Sequence, residues 1–229
     1  MQTQLRSIKA WSARLACIAG ALGGVALLGG CNIVGPAYVL IAGPPKTDAL
    51  HTLEEKAKTV IFVDDQGSVL PRRSLRMTVS DRIEQELVAK KAVGGIVGGA
   101  AIQQVALQDD ADNLSDNSTL GRAVGADLVV HVLVESFTMS VDGTTYQPFA
   151  SGFVRVVDTR TGQRVWPKDQ PSGYRLAMQL PIKRGSVPGS ASELARAQED
   201  LASNFGLAVS RLFYKHESRT ERPSDERVK

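Results

Sequence analysis

Leu128-Val129-Val130-His131-Val132-Leu133-Val134 is interrupted by a single polar side chain, that of His131. A run this short and this continuously apolar reads as a central strand, since a half-buried strand alternates polar with apolar residues. Downstream, Phe137 to Val141 predicts its extension or a neighbour, and Asp142-Gly143 a turn. Phe149 to Val157 and Gln163 to Trp166 flank Asp158-Thr159-Arg160-Thr161-Gly162, the composition of a hairpin turn between extended runs. Tyr174, Leu176, Met178 and Leu180 then alternate with Arg175, Ala177 and Gln179, which predicts a strand with one buried face.

Upstream, a short helix is predicted around Thr119 to Gly125, after a polar loop from Asp109 to Ser118. Thr59 to Val63 is a short strand stopped by Asp64, Asp65 and Gly67. Ser74 to Lys90 is a helix, with Leu75, Val79, Ile83 and Leu87 on its buried face and Arg76, Asp81, Arg82, Glu84, Gln85 and Glu86 largely toward water. Val93 to Ala100 carries paired glycines without a phosphate-cradling pattern, and reads as a flexible or closely packed turn before a strand or helical segment from Ala101 to Leu107. A second long helix starts at Ser190 with Glu193 at capping-box spacing. Leu194, Ala197, Leu201, Phe205, Ala208 and Leu212 form its expected stripe, and Gly206 allows close approach to the sheet. This order describes an α/β domain, a mixed sheet with packed helices, over residues 58–213.

The amino-terminal segment is of a different kind. Arg6, Lys9 and Arg14 precede an apolar run from Leu15 to Leu28, and Leu28-Gly29-Gly30-Cys31 closes it. The run is too short for an ordinary membrane-spanning helix of roughly 20 residues. The pattern resembles a bacterial lipoprotein signal, with residues 1–30 removed and Cys31 the lipid-attachment residue. The resemblance implies diacylglycerol on Cys31 and a further acyl chain of the palmitate type, enough hydrocarbon to hold the chain durably on a membrane. Asn32 in place of an aspartate looks like sorting to the periplasmic face of the outer membrane. Residues 31–57, with Pro36, Pro44 and Pro45, read as a lipidated tether, and residues 214–229 as a charged flexible tail.

Removing residues 1–30 takes three of the 27 basic residues and none of the 24 acidic ones, so the remainder is balanced at 24 of each. Its charge therefore gives no reason to expect a nucleic-acid partner. Cys17 lies in the signal and Cys31 takes lipid, which leaves no thiol for a disulfide or a thiolate site.

Three passages resemble a family. Gly121 to Val130 is similar to the helix, Gly-Ala-Asp, apolar-strand passage of periplasmic lipoproteins related to the curli-secretion channel subunit, LpoB and the amino-terminal domain of TolB. Phe153 to Trp166 is similar to their strand, Asp-x-x-Thr-Gly, strand, Trp hairpin, and Ala195 to Leu212 to their closing helix. The resemblance implies this fold, and admits a homo-oligomer; it does not extend to membrane-crossing hairpins, for which only one short, unequal pair is present.

Chemistry is sparse. His51, His131 and His216 stand in no metal-ligand spacing, and His131 inside its apolar run reads as structural. Asp109, Asp110, Asp112 and Asp116 lack the full calcium-loop pattern, and no nucleophile elbow is present, so no enzyme activity, metal or cofactor is expected. Of the aromatic residues Tyr146, Phe149, Phe153, Trp166 and Tyr174, most suit a core, and Tyr146 and Trp166 are the candidates for partner binding. The reading that follows is a noncatalytic, lipid-anchored envelope protein that docks or organises an envelope protein. The alternative is a secretion-associated oligomer or pore component, with an envelope hydrolase more remote. Replacing the attachment residue tests the anchor: Cys31→Ser is expected to abolish lipid labelling and release the chain from membranes, and unchanged partition contradicts it.

Overall fold

The computed structural model describes residues 46–108, 116–181 and 187–217. The signal segment, Cys31, the carboxylates Asp109, Asp110 and Asp112, and the tail beyond residue 217 lie outside the described residues. The chain forms two units. Of the first, Met1–Thr47 with Glu217–Lys229, the described part is strand β1 (Lys46–Thr47) and Glu217. The second, Asp48–His216, is the α/β domain.

Its elements run β2 (Lys58–Asp64), α1 (Ser74–Ala89), β3 (Gly95–Val97), α2 (Gly99–Gln108), α3 (Asn117–Ala123), β4 (Leu128–Thr138), β5 (Phe149–Asp158), β6 (Arg164–Trp166), β7 (Tyr174–Gln179) and α4 (Ala191–Ser210). The six-stranded sheet has the order β3-β2-β4-β5-β6, with β7 also paired to β5. β2 is parallel to β3 and β4, and the remaining pairings are antiparallel. The sheet is therefore mixed, as the order of elements predicts. Phe137 proves to lie in an extension of β4, which bends at a bulge between Val134 and Ser136.

The continuous apolar character of β4 has its cause in two helical layers. Ile61, Val63, Val130, Val132, Val154 and Val156 face the layer of α1 and α4, meeting Leu75, Val79, Ile83 and Leu87. Val60, Phe62 and Val129 face the other layer, meeting Ile102 of α2 and Leu120 of α3. Fully burying one such side chain contributes about 1.5–3 kcal/mol, so the larger layer carries most of the apolar stabilisation.

Two of the family-like passages interlock. Asp127 accepts from the Lys58 amide through Oδ2 at 2.9 Å, while its own amide donates to the Lys58 carbonyl at 2.7 Å. Thr159 Oγ1 donates to the Ala126 carbonyl at 2.7 Å, joining the hairpin turn to the start of β4. Both motifs thus serve the fold.

Three details differ from expectation, and a fourth, the glycine stretch, decides between alternatives left open. Glu84 is half-buried and accepts from the first amide of α2, that of Gly99, at 2.7 Å; desolvation raises its pKa despite that bond. The glycine stretch is a closely packed passage, since a Cβ on Gly94 would strike the Glu55 carbonyl and one on Gly99 the Ser80 hydroxyl. Residues 50–57, read as tether, belong to the domain: the amides of Leu50 and His51 donate to the Leu212 carbonyl, and Leu53 and Ala57 are buried. At the other end Tyr214, read as the start of the tail, is also core.

The stripe of α4 is buried only from Leu201 onward, with Ala202, Phe205 and Val209, whereas Leu194 is 39% exposed and Ala197 and Ala208 are half-buried. Gly206 meets a helix instead of the sheet: a Cβ there would lie 2.7 Å from the Val79 carbonyl oxygen and 2.9 Å from Arg82 Cβ. A backbone atom cannot yield locally, so α1 and α4 would have to separate. Gly206→Val is expected to cost about 1–3 kcal/mol in equilibrium urea unfolding, against the helix-propensity gain of leaving glycine.

Candidate functional site

Tyr146 lies on the connection between β4 and β5. Asp142 shapes that connection by accepting from the amides of Thr144 at 2.9 Å and Thr145 at 2.7 Å, bonds that hold its carboxyl well below the usual range. Opposite, Ser190 caps α4 by accepting from the Glu193 amide at 3.2 Å. Glu193 returns its bond to Gly189 at 2.7 Å, one residue before the position a capping box predicts. Between these two pieces runs an open groove of ≈ 430 Å³, lined by Met139, Tyr146, Val187, Pro188, Ala191 and Leu194 among others. Val187 at 63% exposure and Leu194 at 39% stand in it, with Val141 at 61% on the same connection. Apolar side chains collected in this way on a polar rim mark a contact surface, where singly scattered ones do not.

Trp166 is placed differently. Its ring stacks on His51 at 5.7 Å and Tyr174 at 5.4 Å between centroids, and Phe213 meets it edge-on at 5.9 Å. Three rings of the domain itself therefore enclose it, and it pins residues 50–57 to the sheet edge. The structure does not bring Tyr146 and Trp166 together: each lines a separate depression.

The most elaborate polar arrangement surrounds His131, which the sequence offered only as a structural residue. His131 pairs in register with Phe62 on one side and Arg155 on the other. Its ring is 1% exposed. Arg155 Nε donates to Nδ1 at 3.0 Å, so Nδ1 carries no proton; Nε2 then donates to Asp64 Oδ2, also at 3.0 Å. Burial lowers the His131 pKa, with the bond to Asp64 opposing and the Arg155 charge reinforcing. A neutral ring with both nitrogens engaged has no site left for proton transfer to a substrate. What the arrangement can do is hold Arg155 in place. Asp64 and Arg155 were missed because Asp64 reads as a strand stop and Arg155 as one residue of an extended run; only the cross-strand register unites them. Among the described residues no three of His, Cys, Asp and Glu converge to hold a metal ion.

No family model matches the chain, and no curated protein matches it. Among solved structures it is similar to the PelC dodecamer from Paraburkholderia phytofirmans, at 12% identity over 74% of this chain and 97% of that one, with a TM-score of 0.43. It is similar to lipoprotein GNA1162 from Neisseria meningitidis at 14% identity, over 64% and 99%, TM-score 0.40. It is similar to the LpoB C-terminal domain from Salmonella enterica at 11% identity, over 57% and 86%, TM-score 0.33. Likenesses this distant decide nothing about what the chain does.

The His131 geometry has a pH consequence. Its folded pKa lies below the ordinary value of 6.5, so the unfolded chain binds the proton more readily. Stability is then full above about pH 6.5 and falls as pH drops through that value. His51, also lowered by burial, adds in the same direction. His131→Gln is expected to flatten the loss of stability between pH 7.5 and 5.5, leaving the His51 share, as read by urea unfolding at each pH.

Proposed function

We propose that the chain is a lipid-anchored envelope protein, attached through Cys31 at the periplasmic face of the outer membrane, whose α/β domain docks on a protein partner and catalyses no reaction. The signal pattern ending in Leu28-Gly29-Gly30-Cys31 supports the anchor, and Asn32 supports the placement. The single observation that carries docking is the groove beside Tyr146, in which the exposed side chains of Val187 and Leu194 stand together. Tyr146 takes precedence over Trp166 as a partner contact, because the rings around Trp166 already engage it.

The chain offers a clean test. With Cys17 in the signal and Cys31 lipidated, Thr144→Cys introduces the sole thiol of the processed chain, at the rim of the groove. A thiol-directed crosslinker applied to intact cells is expected to give one discrete adduct. Adding Leu194→Asp is expected to reduce that adduct about tenfold at unchanged melting temperature, the size of loss typical of a central contact. An adduct of twice the chain's mass would make the partner a second copy. Absence of any adduct, or one indifferent to Leu194→Asp, contradicts docking at this groove.

A further inference from the structure

We infer that the crevice in which Arg155 and Arg164 lie beside Gln66 and Asn117 binds a carboxylate, in the form of a peptide's terminal carboxylate. It opens beside the start of α3, has a volume of ≈ 360 Å³, and is also lined by Asp64 and Asp116. That volume suits a small ligand or the end of a chain. It shares no residue with the groove beside Tyr146, so the two can be tested apart.

Neither guanidinium group is directly neutralised by a carboxylate. Among the described residues Arg155 and Arg164 form no ion pair, a property they share with Arg73, Arg122, Arg196 and Arg211, while Arg72, Arg76, Arg82, Arg160 and Arg175 are paired with carboxylates; Arg155 and Arg164 line one crevice together. Arg155 uses Nε on His131 and leaves both Nη groups without a protein acceptor among the described residues. Arg164 donates one Nη to the Pro171 carbonyl, and its buried Nε has no acceptor. Burial lowers the Arg155 pKa, the Asp64 charge opposes this, and the like charge of Arg164 adds to it. An anion between the two arginines would relieve both the desolvation and the repulsion.

Satisfying His131 does not explain this construction. One N–H donor suffices for Nδ1, whereas a guanidinium brings a fork of further donors and a full charge to a half-buried position. Asp64 and His131 act as positioning residues: the chain from Oδ2 through the ring to Nε fixes the plane of the Arg155 fork. Gln66 and Asn117 make no side-chain hydrogen bond among the described residues and stand at the rim.

The charge balance selects the class of ligand. Asp64 is tied to His131, and Asp116 accepts from the Ser118 hydroxyl and the Thr119 amide, so neither neutralises the arginines directly, yet both carry negative charge into the wall. A phosphate dianion would meet two carboxylates as well as two guanidiniums. A single carboxylate can face the guanidiniums bidentately, and the amide N–H groups of a peptide can face the carboxylates.

The test titrates the full chain in detergent micelles with N-acetylglycylglycine, its carboxy-terminal amide, acetate and inorganic phosphate, followed by calorimetry and by the Arg Nε–H resonances. Saturable binding of the peptide acid, with a shift of the Arg155 Nε–H signal and none with the amide, is expected. Arg164→Gln, on a short edge strand, is expected to weaken it about tenfold at unchanged melting temperature. Arg155→Lys, which keeps the charge and removes the fork, is expected to weaken it similarly while remaining folded. Equal binding of acid and amide, tighter binding of phosphate, acetate binding as tight as the peptide acid, or indifference to both substitutions overturns the assignment.

Discussion

β4 is paired on both edges and buried on both faces, and the remainder of the domain follows from that constraint. Its backbone groups are satisfied by parallel β2 and antiparallel β5, so its side chains must be covered from two directions. The coverings are unequal. α1 and α4, of 16 and 20 residues, span one face, whereas α2 and α3, of 10 and 7, cover only part of the other. Where the short layer ends, the face changes from Val60, Phe62 and Val129 to Asp64, His131 and Arg155. The polar network and the crevice beside it are thus located by the length of two helices.

The groove beside Tyr146 has a parallel origin on the other side. α4 is longer than the core it covers: its buried positions begin at Leu201, and the turns before that project with Leu194 exposed. Apart from alanines, Leu194 is the one apolar residue on those turns, and it stands in the groove. The connection held by Asp142 comes up against this projecting end and supplies Tyr146 and Met139. Both candidate surfaces therefore arise where a secondary-structure element and the core differ in extent.

That origin explains which features were legible in the sequence. Period-two alternation from Tyr174 to Gln179 gives a strand whose odd and even residues differ in burial, because local geometry alone fixes the faces. The hairpin around Gly162 is equally local, since its φ of +70° suits glycine. By contrast, the helical period of α4 assigns Leu194 and Leu201 to one stripe and says nothing of where the facing layer stops. Nor does any local pattern place Gly206 against Val79 or join Asp64, His131 and Arg155, whose contacts depend on the packing of separate elements. Leu53 and Ala57 were hidden in the same way, because a proline-rich approach to the domain reads as linker up to the first regular strand.

Work by contact at a surface held near a membrane, as proposed for this chain, makes a local prediction. Hydrogen exchange distinguishes that surface from the rest of the domain, since docking protects backbone amides locally and leaves the core unaffected. The comparison is between the lipidated chain in isolated envelope membranes and the same chain purified in detergent. Slower exchange in the membranes, confined to residues 139–147 and 187–195, is the expected result. Unchanged exchange there, or slowing spread evenly over the domain, contradicts it.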